Sequence, residues 1–113
     1  MISKEQLLAL SKTQKVHTVT IKEWGDFGIR IMSGTERETY DNQIFVDGKI
    51  SLTQFRAKLL CKVLCDADGN RMFTDDDLAA ITALPAPVLS GLFEVAKTLN
   101  ALTPEDVDEL TKN

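Results

Sequence analysis

Apolar and polar positions repeat with two different periods along this chain, and the change of period divides it. From Val16 to Met32 the period is two. His17, Val19 and Ile21 alternate with Thr18, Thr20 and Lys22; after a turn at Glu23-Trp24-Gly25-Asp26, Phe27, Ile29 and Ile31 alternate with Gly28, Arg30 and Met32. That spacing and its β-branched content predict a β-hairpin over residues 16–32. A lone hairpin is marginally stable, so it is expected to pack on the helices that follow. Residues 35–112 read as mostly helical.

The helix starts are marked. Ser3 with Gln6, Ser33 with Glu36 and Ser51 with Gln54 have the capping-box spacing, in which two orphan backbone donors at a helix start are satisfied reciprocally. They predict a short helix over residues 3–11 with Leu7, Leu8 and Leu10 on its apolar face, and a helix from about Thr35 to about Phe45 with Tyr40 and Ile44 one turn apart. Asp47-Gly48 is expected to end the latter by a left-handed exit. Thr74 can cap a helix whose first turn carries Asp75, Asp76 and Asp77 at the positive end of the dipole, with Leu78, Ile81 and Leu84 as its apolar stripe. Pro85 stops it, and Pro87 suits the first turn of the next. Val88, Leu89, Leu92, Phe93, Ala96 and Leu99 make the clearest helical face, on a helix Val88–Asn100 with Asn100 read as a left-handed cap. Thr103-Pro104-Glu105-Asp106 predicts a last helix with Val107 and Leu110 as its apolar edge.

Residues 52–65 support two readings. Leu52, Phe55, Leu59, Leu60, Val63 and Leu64 form a helical stripe, while Ala57, Leu59, Cys61, Val63 and Cys65 alternate with Arg56, Lys58 and Lys62 as in a strand. The Ser51 cap and the Ala, Leu and Lys content favour helix; strand stays open. Asp66-Ala67-Asp68-Gly69-Asn70 is acidic, but an EF-hand loop started at Asp66 needs its glycine at Arg71, so a plain Asp/Gly turn is expected, returning Met72-Phe73 to the core. The resulting fold class is α+β, mainly α: an N-terminal β-hairpin on a small helical domain of about four to five helices.

Composition narrows the function. The 113 residues suit one domain, 1–113. The net charge of −4, with Lys and Arg scattered among carboxylates, argues against nucleic acid as a partner. The polar Met1–Gln6 start and the lack of any apolar run near the ~20 residues a span requires give no expectation of a signal peptide or membrane contact. Cys61 and Cys65 sit one helical turn apart without the further ligands zinc needs, so they read as buried free thiols of a reducing compartment. His17 has no evident nucleophile or acid beside it, and the glycines fall at separate turns rather than in a phosphate loop. The expectation is no enzyme, no metal and no cofactor: a binding or assembly protein.

Three stretches then carry a family resemblance. Glu23-Trp24-Gly25 leads into Ile29-Arg30-Ile31-Met32-Ser33-Gly34-Thr35-Glu36-Arg37, similar to a strand entering a Ser-Gly-x-Glu-Arg helix start. Leu64-Cys65-Asp66-Ala67-Asp68-Gly69-Asn70-Arg71-Met72-Phe73 is similar to an Asp-x-Asp-Gly-x-x-x-Phe turn. Leu89–Leu102, with Ala96, Leu99 and Asn100-Ala101-Leu102, is similar to a last long helix. In this order, over most of the chain, they resemble the tail assembly chaperones of long, non-contractile-tailed phages of the lambdoid group.

The resemblance implies a protein that acts in the host bacterial cytoplasm and is absent from the mature virion. It would bind the tape-measure protein, keep it soluble and help recruit the tail tube protein. It also implies that this chain is the short product of a gene with a programmed ribosomal frameshift, its longer form reaching the tube subunit. Coating a long client in many copies gives reason for self-association, with no symmetry set by the sequence. The physical mode would be an amphipathic client helix laid in a groove between chaperone helices. Trp24, Tyr40, Phe45, Leu92 and Phe93 are the expected partner contacts. A structural tail-completion or connector subunit, retained in the particle, is the alternative.

Overall fold

The computed structural model describes residues 1–12, 15–51 and 53–100. Helix α1 (Lys4–Ala9) runs into a 3-10 turn, Leu10–Lys12. Strands β1 (His17–Ile21) and β2 (Gly25–Ile29) form the expected hairpin, paired from His17↔Ile29 to Ile21↔Gly25 around Lys22-Glu23-Trp24. The alternation stops at Ile29: Arg30 and Met32 turn inward and Ile31 outward. Helix α2 (Gly34–Ile44) starts at the Ser33 capping box, with Tyr40 and Ile44 buried as their spacing predicts.

Asp47-Gly48 does not end that helix. The helix gives way to extended backbone at Phe45, and the pair is the turn of a second, short hairpin, β3 (Phe45–Val46) and β4 (Lys49–Ile50). Asp47 and Gly48 both take positive φ, 52° and 76°, as a primed two-residue turn requires.

The segment with two periods is both things in succession: helix α3 (Phe55–Val63), then strand β5 (Leu64–Cys65), antiparallel to β2 through Gly28↔Cys65 and Ile29↔Leu64. The helix packs against α2, α4 and α5. From Leu59 to Cys65 every residue is buried, so over this stretch no solvent face imposes the 3.6-residue period. The expected Ser51 capping box does not form. Gln54, at φ 54°, precedes the helix without a side-chain cap, and the Ser51 hydroxyl accepts from the Thr53 N–H. Leu52 lies outside the described residues, as does the predicted last helix with Val107 and Leu110.

The β5 strand fits against β2 because Gly28 has no side chain. A Cβ there would stand 2.7 Å from the Cys65 carbonyl oxygen. Beyond β5 the chain turns at Asp66, whose carboxylate accepts from the Asp68 and Asn70 N–H groups at 2.9 and 3.0 Å. Phe73 returns to the core margin but Met72 stays exposed, correcting the expectation for that pair. Thr74 caps a 3-10 turn, Asp75–Asp77, that leads into α4 (Leu78–Thr82). Helix α5 (Ala86–Asn100) then lays Val88, Leu92, Phe93 and Ala96 into the core.

Among the described residues three polar side chains are buried, Arg30, Lys62 and Asn100, and the last two close this core. Asn100 is not a left-handed exit. It remains helical, its Oδ1 accepting from the Met32 N–H at 2.8 Å and its Nδ2 donating to the Ala96 carbonyl at 2.9 Å. Lys62, 2% exposed, donates from Nζ to Gln43 Oε1 at 2.8 Å and Asp75 Oδ1 at 3.0 Å, and Gln43 Nε2 donates to Asp75 Oδ2 at 3.1 Å. Burial pushes the Asp75 carboxyl up, but the hydrogen bonds and charge of Lys62, the Gln43 bond and the Arg71 charge outweigh it and hold it below its ordinary value.

Removing the Asp75 charge leaves the buried Lys62 ammonium uncompensated, whereas removing the Lys62 charge leaves only a half-exposed carboxylate, so the first costs more. Asp75→Asn is therefore expected to lower unfolding free energy by roughly 1–3 kcal/mol, and Lys62→Met by less than about 1 kcal/mol, both read from urea melts. The depressed folded-state pKa of Asp75 makes its contribution present above the unfolded value of about 3.8 and lost as pH falls through the folded one. Acid titration of stability should lose part of its slope below pH 4 in Asp75→Asn.

Candidate partner-binding surface

The apolar residues at the surface come from elements too short to bury them. In α1 no residue is buried, and Leu7, Leu8 and Leu10 are each more than half exposed. The helix is held by its own start: Ser3 Oγ accepts from the Gln6 N–H at 3.1 Å and Gln6 Oε1 from the Ser3 N–H at 2.9 Å. A groove of about 560 Å³ separates Leu10, Ser11 and Lys15 from Ile31–Gly34. So short a helix gains little from propensity alone, so its leucines are surface that a partner can cover.

The β3–β4 hairpin is the second source. Phe45 stands directly opposite Ile50, and both, with Val46 beside them, are about half exposed. Strands of two residues have little packing of their own, and the ribbon leaves the cross-strand pair Phe45 and Ile50 exposed on one face and Val46 on the other, apolar surface of the kind that marks interaction sites. Trp24, at the tip of the first hairpin, is 56% exposed.

The five expected contact residues therefore separate. Trp24 and Phe45 are at the surface, on different hairpins. Tyr40, Leu92 and Phe93 are spent on the core. The Tyr40 hydroxyl donates to the Phe55 carbonyl at 3.1 Å, and burial pushes its phenol pKa up. Phe93 packs edge-on against Phe55 with ring centroids 4.7 Å apart, under the Arg56 guanidinium. The Val88–Leu99 face is thus mostly core, and the expected groove along it is filled by α3 and the sheet. Val46 and Ile50 were not among the expected contacts. The signal for them was present: Asp47-Gly48 between apolar pairs is a strong hairpin signature.

Burial pushes both the Cys61 and Cys65 thiols up, which keeps them protonated. Among the described residues no three His, Cys, Asp or Glu side chains converge as metal ligands, and no helix is long and apolar enough to cross a membrane.

The distinction between core and surface aromatics predicts opposite stability effects. Leu92→Ala should cost about 2–5 kcal/mol, whereas Trp24→Ala should change unfolding free energy by no more than about 0.5 kcal/mol. Thermal and urea melts of the two variants check this.

The family model described as phage tail assembly chaperone matches residues 3–113. In its fold the chain is similar to the solved tail assembly chaperone of bacteriophage HK97, at 24% identity and a TM-score of 0.58, over 82% of this chain and 95% of that one. At that identity the likeness speaks for the fold alone. No curated protein matches the chain.

Proposed function

Because the chain belongs to the phage tail assembly chaperone family, we propose that it binds the tape-measure protein during tail assembly, keeps that long client soluble and promotes formation of the tail tube. It acts by binding, in the host bacterial cytoplasm, and leaves before the virion is mature. The observation that carries this reading is the exposed ribbon of Phe45, Val46 and Ile50, apolar surface that its own fold does not cover.

The physical task explains why such surface stays open. A long amphipathic client exposes an apolar stripe until the tube encloses it, and a chaperone must cover that stripe and then release it. Many copies, each contacting the client through a small apolar patch, provide avidity along its length while each contact dissociates readily. Phe45, Val46 and Ile50, with Trp24 and the α1 leucines, are the proposed contacts. Tyr40, Leu92 and Phe93 support them through the core instead of touching the client. Recruitment of the tail tube protein falls to a frameshifted longer form of the same gene product.

Co-expression with the tape-measure protein tests this. The client is expected in the soluble fraction with several copies of the chaperone bound. Phe45→Ser/Ile50→Ser should lose the client while melting within a few degrees of the parent protein. A client that stays insoluble with the parent protein and its longer form, or the chain's presence in purified virions by mass spectrometry, would overturn the reading.

A further inference from the structure

The groove between the Leu10–Lys12 turn and Ile31–Gly34 is apolar on both walls. Leu10 is 60% exposed on one side and Ile31 is 44% exposed on the other. Its rim is basic. Lys15 lines it, and Lys12 belongs to the same turn as Leu10. Both lysines are exposed, and neither enters an ion pair with a described residue.

The end of α5 stands at this groove. Asn100 Oδ1 accepts from the N–H of Met32, a wall residue, at 2.8 Å, and the Arg37 guanidinium donates to the Asn100 carbonyl at 3.1 Å. The chain therefore leaves the helix against the groove wall. Residues 101–113 lie outside the described residues, but covalent geometry keeps Leu102 within about 7 Å of Asn100.

The sequence of that tail matches the groove twice over. Thr103 suits a helix cap and Pro104 the first helical position. Leu102 and Val107 have the spacing of a hydrophobic staple, and Leu110 follows one turn later, which gives one apolar edge. Glu105, Asp106, Asp108 and Glu109 then set four carboxylates against the single Lys112. A second hollow beside the end of α5, lined by Val95, Thr98 and Leu99, has Glu94 as its charged residue and would oppose such a tail.

We propose that in the client-free protein residues 103–112 dock as a helix in the groove, with Leu102, Val107 and Leu110 over Leu10 and Ile31 and the carboxylates toward Lys12 and Lys15. Tethering and charge select this occupant over a second copy. The tail starts at the groove wall, so its effective concentration there is on the order of millimolar, and it carries the charge that the rim lacks. Exposed ion pairs contribute little one by one, so the tether is what lets a small contact close.

The proposal is independent of tape-measure binding and is tested on the full chain by itself, by hydrogen exchange. The amides of residues 4–12 and 103–112 should both be protected, to the same degree from low to high micromolar protein. K12E/K15E changes two exposed positions and should speed exchange of both segments roughly three- to tenfold, with unchanged far-ultraviolet circular dichroism. V107S/L110S should do the same for residues 4–12. Adding D108K/E109K to K12E/K15E should return the protection. A tail that exchanges as an unstructured chain in the parent protein, protection that K12E/K15E or V107S/L110S leaves unchanged, or a fourfold variant that does not recover it would overturn the proposal. Protection that grows with concentration would overturn it in favour of a tail supplied by a second copy.

Discussion

A nine-residue helix buried along all but its first turn constrains everything else in this fold. Helix α3 meets α2, α4 and α5, and its C-terminal continuation becomes the strand that completes the sheet. Over Leu59–Val63, where every residue is buried, the helix cannot set its orientation by turning a polar face to water. Its position has to be set by what packs around it and by the polar groups it carries inward. Small domains have little core to spare, and here most of it is gathered around one element.

The inward polar groups are therefore placed where they can be satisfied from neighbouring elements. Lys62 reaches α2 through Gln43 and the acidic 3-10 turn through Asp75, so three separate stretches converge on one ammonium. Arg71 donates to the Cys61 carbonyl near the C-terminus of α3, where the helix dipole favours a cation. Asn100 joins the end of α5 to the exit of β2, and the Arg37 guanidinium donates to its carbonyl from α2. Arg30 and Glu36 pair across the same junction; burial pushes the Glu36 carboxyl up, but its bonds to Arg30 and Ser33 outweigh this and lower it. A buried group with one partner removed is costly, so such links specify the arrangement of elements as well as stabilising it.

Because packing is concentrated around α3, the peripheral elements have little to bury against. Helix α1 and the β3–β4 ribbon are held by local capping and turn chemistry, and their apolar side chains remain in water. The core that keeps the fold intact is thereby separate from the exposed apolar surface proposed to engage a client. Substitutions on the two sides accordingly have separable consequences.

The boundaries that depend on local chemistry were legible in the sequence. Ser3 with Gln6 and Ser33 with Glu36 form their capping boxes, and the first hairpin follows its alternation as far as Ile29, because the interactions responsible lie within a few residues. The membership in a tail-assembly family was legible for the same reason, through turns and helix starts in a fixed order. Only the tertiary structure decided the rest. Residues 55–65 divide into helix and strand because Gly28 admits the Cys65 backbone to the sheet, a contact 37 positions distant in sequence. Periodicity marks an apolar face on α2 and α5 but not whether the protein itself or a partner covers it, so Leu92, Phe93 and Tyr40 were indistinguishable from surface contacts until their neighbours were in place. Asn100 and Lys62 have polar side chains suited to water; that each is buried follows from partners on other elements, which no local pattern contains.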